Sequence, residues 1–328
     1  MNDNLINKFI TDEKFHKLAS SFKLHPQKYN YRNIIPPFDQ LYKSHISYIK
    51  TKDFSSSLNV LKTSCLLLDC PNKNKTRVLF KFIIQNCINQ IDNKINCEEE
   101  TRSLIKIILE IYKDTKYHVL CNILFRLYFK IDNYELAYNF LLVTTNTRKG
   151  KKDFYIYNLY KSLLYLYKGD IEEANECINI AYMSKNIRTV NDSNVLFFII
   201  NLINNKAVKT QDPFLIKLRD VVKLGLYSKI FALLDNVMFR RLNIFEIVRT
   251  YLPLVCFTNL IKRIFYLKSE DYKLNLDFLL EVLDMEYEEM ISLVCSVIEI
   301  NLVKGYISIN KNMMVFSRKD PFPESFNK

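Results

Sequence analysis

Glycine is almost missing from this 328-residue sequence, at four positions, and proline occurs at only eight. An all-β sandwich or barrel needs turn residues roughly every 8–12 positions, so the composition excludes both. A glycine-rich phosphate loop is excluded on the same ground. Tryptophan is absent too, but 23 Phe and 21 Tyr lift the hydrophobic content to 49%, more apolar surface than a disordered chain carries. No stretch approaches ~18 uninterrupted apolar residues, so no membrane-spanning helix is expected. The segment from Met1 to Ile10 holds Asn and Asp where a secretory leader needs an apolar run. Histidine is scarce: His16, His25, His45 and His118 fall in separate predicted elements, away from any Cys or acid at metal or triad spacing. The eight cysteines form no CxxC pair and are read as buried thiols of a reducing compartment, cytosol or nucleus. Glu98, Glu99 and Glu100 suit the positive end of a helix dipole better than acid–base chemistry. The chain is therefore expected to be non-catalytic, with no metal and no cofactor.

What remains is a mostly α-helical chain. Leu41, His45, Tyr48 and Ile49 recur at helical spacing, as do Leu104, Ile107, Ile108 and Ile111, then Ile123, Leu124, Leu127 and Tyr128. Three segments share a local pattern: Asp53-Phe54 with Ser57, Asn133-Tyr134 with Ala137, and Asp170-Ile171 with Ala174. In each, a polar turn is followed by a bulky residue that restarts the helix and by a small one that permits close packing. Asp170 follows Asn133 by 37 residues, and Asn133 follows Asp53 by 80. These intervals predict TPR-like helical-hairpin repeats of roughly 34 to 40 residues with one degenerate unit between the first two. Leu124, Tyr128, Leu163 and Tyr167 are either core within these hairpins or part of a face that receives a partner helix.

The texture changes near residue 268. Asn275 caps a predicted helix carrying Asp277, Phe278, Leu279 and Val282, and a second helix aligns Met290, Leu293, Val294, Val297, Ile298 and Leu302. Gly305 marks its expected C-terminus. Two β-prone runs, Tyr306 to Ile309 and Met313 to Ser317, flank Asn310-Lys311-Asn312 and predict a hairpin. With a preceding helix near Phe257 to Leu267, this is the order of a winged helix. The expected organisation is a lead-in over 1–35, a helical array over 36–255 and a winged helix over 256–323.

The formal charge is +12, which favours a polyanionic neighbour without selecting one. Residues 240–268 carry six basic side chains against the single acid Glu246, whereas residues 269–290 hold eight acids and one Lys. Arg240, Arg241, Lys262, Arg263, Lys304, Lys311, Arg318 and Lys319 are the candidate nucleic-acid-binding residues. The helix in the recognition position opens with Glu286, Glu288 and Glu289, which phosphates repel, so any such binding is expected to follow the backbone without base readout. The same charges also fit a solvated surface or an acidic protein partner. The run Thr147-Arg148-Lys149-Gly150-Lys151-Lys152 fits either a nuclear-localisation or phosphate-contacting loop, or a solvated link between hairpins.

A helical array running into a winged helix resembles the PCI family of scaffold subunits. Val303-Lys304-Gly305-Tyr306-Ile307-Ser308, with Val315-Phe316-Ser317-Arg318-Lys319-Asp320-Pro321-Phe322-Pro323, resembles the C-terminus of its messenger-RNA-export branch, the Thp or PCI-domain-containing-protein-two group. Ile35-Pro36-Pro37-Phe38-Asp39 with His45, and the segment Leu124 to Ile131, resemble the N-terminal and central parts of that branch. The related signalosome-subunit-twelve-like proteins share these features. The resemblance implies a scaffold subunit of the nuclear TREX-type second transcription-and-export complex, near nuclear pores. It also implies a large export scaffold (Sac/GANP-like) and a small acidic Dss/Sem-type subunit as partners, with RNA or DNA backbone as ligand. The alternative is a PCI subunit of a COP9-signalosome, proteasome-lid or translation-initiation assembly with no nucleic-acid role.

Overall fold

The computed structural model describes residues 10, 38–51, 53–64, 82–89, 91, 97–115, 118–144, 152–183, 187–206, 208–269, 271–283 and 285–323. Nearly all of the expected lead-in, the basic run at 147–152 apart from the backbone of Lys152, and His16, His25, Cys65 and Cys70 lie outside them. The chain divides into two compact units, Met1–Thr147 and Arg148–Lys328. That division falls inside the helical array expected over 36–255. The expected start of the winged helix at 256 falls within a continuous helix.

The chain is mostly helical. The first unit contains α1 (Phe38–Thr51), α2 (Phe54–Ser64), α3 (Glu98–Thr115), α4 (His118–Lys130) and α5 (Tyr134–Val143), with a further helical segment at 82–89. Helices adjacent in this order pack on one another, from α1 on α2 through α4 on α5. The small-residue pattern has a physical role here. Asp53 accepts the Ser56 N–H at 2.6 Å and Asn133 accepts the Leu136 N–H at 3.1 Å, so both cap the helix that follows. Ser57 and Ala137 are buried at the same offset. The Ser57 carbonyl accepts from Cys87 Sγ at 3.3 Å, which brings the 82–89 segment against α2 where a larger side chain would hold it off.

The second unit continues with α6 (Lys152–Lys168), α7 (Ile171–Tyr182), α8 (Ile187–Ile203), α9 (Pro213–Lys223), α10 (Tyr227–Leu234), α11 (Val237–Arg241) and α12 (Phe245–Lys268). Ala174 is fully buried between α6 and α7, and its carbonyl accepts from Ser162 Oγ at 2.7 Å. Asp170 makes no side-chain cap, unlike Asp53 and Asn133. α12 is largely buried and contacts α8, α9, α10 and α11 as well as the C-terminal module.

Helices that must stop sharply need a left-handed residue after the last turn, normally glycine. With so little glycine, Asp132, Asn205, Asn243 and Asn301 take that conformation beside Gly169 and Gly225. At Asn205, for example, its N–H bonds Leu202 O at 3.0 Å and the next N–H bonds Asn201 O at 2.8 Å, the paired bonds of a Schellman stop. Asn and Asp are the non-glycine residues that bear this conformation at least cost. Gly225 is less replaceable, since a Cβ there would sit 2.6 Å from the backbone nitrogen of Leu260 in α12.

After α12 come β1 (Lys273–Asn275), α13 (Asp277–Leu280), α14 (Tyr287–Glu299), β2 (Gly305–Ser308), a 3-10 turn (Ile309–Lys311) and β3 (Met313–Phe316). The strands form one antiparallel sheet in the order β1-β3-β2, with Gly305 opposite Phe316 and Lys273 opposite Val315. Met290, Val294 and Val297 on α14 and Leu274 and Met314 on the sheet are fully buried. Gly305 does not end α14. The helix stops at Asn301, and Gly305 opens β2, where a side chain would strike the Val315 carbonyl. Burial pushes the thiols of Cys87 and Cys177 up to about 11 and that of Cys256 up to about 12. Cys295 departs from the expectation of buried thiols: it is exposed.

Candidate functional site

The C-terminal module is closed by aromatic packing. Phe265, near the end of α12, lies 4.6 Å from Phe316 on β3 and 5.4 Å from Phe322, ring centroid to centroid. Phe316 and Phe322 are 5.6 Å apart. The chain beyond β3 is thereby folded back onto α12 and beside the start of β2. The Lys304 N–H donates to Pro321 O at 3.0 Å, and Ser317 N–H donates to Lys304 O at 2.8 Å.

This arrangement separates the eight candidate cations into four locations. Lys304, Arg318 and Lys319 gather where β2 begins and β3 ends, and Lys262 joins them through the tail, its ammonium 5.7 Å from the centre of the Phe322 ring. Lys304 pairs with Asp320 at 3.0 Å and Arg318 with Asp271 at 2.9 Å. Lys319 is exposed and has no partner among the described residues. Lys311 sits at the far end of the β2–β3 ladder. Its neighbour Asn312 donates to Asp277 at 2.7 Å and accepts from the Tyr287 hydroxyl at 3.0 Å, which places Lys311 beside the acidic stretch. Arg240 and Arg241, on α11, pair with Asp235 at 3.4 Å and Asp192 at 3.2 Å, and Arg240 also stacks on Phe245 at 4.0 Å. Arg263 follows Lys262 but donates to Leu224 O at 2.5 Å, capping the end of α9.

The ion pairs are solvent-exposed, where each is worth roughly 0–1 kcal/mol. A phosphate can replace such a carboxylate at little cost, so pairing does not remove Lys304 or Arg318 from a binding face. The acidic side chains Glu286, Glu288 and Glu289 are exposed at the start of α14. Exposed negative charge is concentrated there.

Other candidates resolve toward packing. Leu124, Tyr128 and Leu163 are buried, whereas Tyr167 is about half exposed. His45 is buried, and desolvation lowers its pKa to about 4. Among the described residues no group of three His, Cys, Asp or Glu side chains is placed to hold a metal, and no helix is long and apolar enough to cross a membrane. Asn204, Lys206 and Phe322 are brought beside Lys262 without any sequence motif that singles them out together; the fold-back of the tail is what assembles them.

No family model matches the chain. Over 228 residues it is 25% identical to PCI domain-containing protein 2 of Xenopus laevis, a match covering 62% of this chain and 56% of that protein. The chain thus spans little more than half the length of the curated relative it matches. At this identity the likeness is to a PCI-domain protein and to no particular branch of that family.

Proposed function

We propose that the chain is a non-catalytic PCI-type scaffold subunit of a nuclear transcription-and-export assembly, and that residues after about 256 form a winged helix contacting nucleic-acid backbone. The observation that carries this reading is the C-terminal order α12–β1–α13–α14–β2–β3 with sheet order β1-β3-β2, attached directly to packed helical hairpins. The likeness to a PCI domain-containing protein supports it. Lys262, Lys304, Arg318 and Lys319 form the backbone-contacting face, and the acidic start of α14 keeps that helix out of the major groove. The proposed partners are a large export scaffold and a small acidic subunit, with RNA or DNA as a non-sequence-specific ligand.

Affinity capture of the tagged full chain from native cells, with the co-purifying chains identified by mass spectrometry, tests the reading. Recovery of a large export scaffold and a small acidic subunit is the expected result. Recovery of signalosome, proteasome-lid or initiation-factor subunits would keep the scaffold role and overturn the export role.

A further inference from the structure

A cavity of about 310 Å³ lies between the end of α8, one face of α12 and the returning tail. That volume is at the lower end of roughly 300–1,000 Å³ typical of small-ligand sites. Asn204, Asn205, Lys206, Thr258, Lys262 and Phe322 contribute to its lining, and no acidic residue does. Asn205 is committed to Asn259, each amide donating to the other at 3.0 and 3.2 Å. Thr258 donates to Leu254 O at 2.8 Å. Asn204 differs. It is only 8% exposed, and its carboxamide has no hydrogen-bond partner among the described residues. Its amide nitrogen and oxygen are not sealed from solvent, so they stand open to the cavity that the residue lines. Lys206, in the left-handed stop that ends α8, is exposed and has no ion-pair partner among the described residues.

We infer that this cavity is a pocket for one unstacked nucleotide of single-stranded RNA. The half-buried Phe322 ring, over which the Lys262 ammonium lies at 5.7 Å, supplies a platform for a base, the Asn204 carboxamide offers a donor and an acceptor to its edge, and Lys206 and Lys262 supply positive charge for the adjoining phosphates. Aromatic face, free amide and paired cations in one pocket match a nucleotide group by group. A run of Asp and Glu would engage the lysines but has no flat ring to lay against Phe322. The inference rests on the nucleic-acid reading above and deepens it: the basic face holds the backbone, and this pocket holds a base.

The test uses the full chain and a short mixed-sequence single-stranded RNA carrying one fluorescent aminopurine. Binding is expected to change the aminopurine emission by stacking. Phe322→Leu, which keeps the apolar volume beside Phe265 and Phe316, is expected to abolish that change and weaken binding roughly five- to hundred-fold. Lys206→Glu, at an exposed position, is expected to weaken binding and reduce the salt slope by about 0.7. RNA binding with normal affinity and an unaltered emission change in both variants would overturn the pocket while leaving the backbone reading in place. No RNA binding by the unmodified chain at low salt would overturn both. Displacement of the RNA by polyglutamate, with no aminopurine response at any stage, would assign the lysines to an acidic protein and also overturn the pocket.

Discussion

The helical hairpins and the C-terminal module solve the packing problem in opposite ways. A hairpin such as α6–α7 is held by neighbours in sequence: Ala174 lets two helices approach, Ser162 bonds across the gap, and Gly169 supplies the stop between them. The C-terminal module is held by residues far apart in the chain. Phe265 meets Phe316 and Phe322, β1 pairs with β3 across some forty residues, and Lys304 exchanges backbone bonds with the tail. Local packing makes the hairpins individually robust and chemically plain. Long-range closure makes the module dependent on a few rings, and it gathers cations that are scattered in sequence.

The sharpest way to break this contrast is Phe265→Ala. Removing a ring that contacts both β3 and the tail is expected to cost roughly 3–5 kcal/mol. Amide exchange should then lose protection in residues 305–322 while α6 and α7 keep theirs. Equal loss in both places would show that the module and hairpins are one cooperative element.

The next effect is acid-dependent and belongs to the hairpins. Folded His45 binds its proton at a pKa of about 4, against 6.5 when unfolded. Between these values the unfolded chain holds more protons, so this contribution to stability is complete above about pH 6.5 and is lost as pH falls toward 4. The loss should approach about 3 kcal/mol, seen as a falling urea midpoint for the first unit. His45→Phe should flatten the dependence, and a retained slope would assign it elsewhere.

Ala174→Leu, which overpacks the α6–α7 contact, should cost about 1–3 kcal/mol and raise exchange in those two helices. The smallest effect is expected at the cap of α5. Asn133→Ala removes the bond to Leu136 N–H and should cost about 1 kcal/mol in thermal or chemical unfolding. A null result at Asn133 beside a large one at Ala174 would place hairpin stability in side-chain packing, with little from the turns.

The same contrast governs what could be read from the chain before its structure. Asp53, Asn133 and Asp170 with their small partners were legible because a polar turn and a close approach act over four residues; the structure adds a side-chain cap at Asp53 and Asn133 and none at Asp170. The β2–β3 hairpin was legible for a similar reason, and Asn312 adopts the left-handed turn its position implies. β1 was not: three residues, Lys-Leu-Asn, carry no alternating pattern, and their strand geometry comes from pairing with β3. Asn301 stops α14 ahead of the more conspicuous Gly305, because the tight β2–β3 approach requires the glycine instead. The candidate site was legible only as a list of charges. Adjacent Lys262 and Arg263 diverge, one toward Phe322 and the other toward Leu224, and the division of Lys304 from Lys311 depends on strand length and register.

The most direct measurement is the salt dependence of single-stranded RNA affinity for two charge-reversed forms of the full chain. One carries Lys304→Glu, Arg318→Glu and Lys319→Glu, and the other carries Arg240→Glu and Arg241→Glu. With a slope of roughly 0.7 per phosphate contact on single strands, the first should lower the slope by about 2 and the second should leave it near its original value. Equal slopes in both forms, or a larger change at Arg240 and Arg241, would contradict a nucleic-acid face built by closure of the C-terminal module.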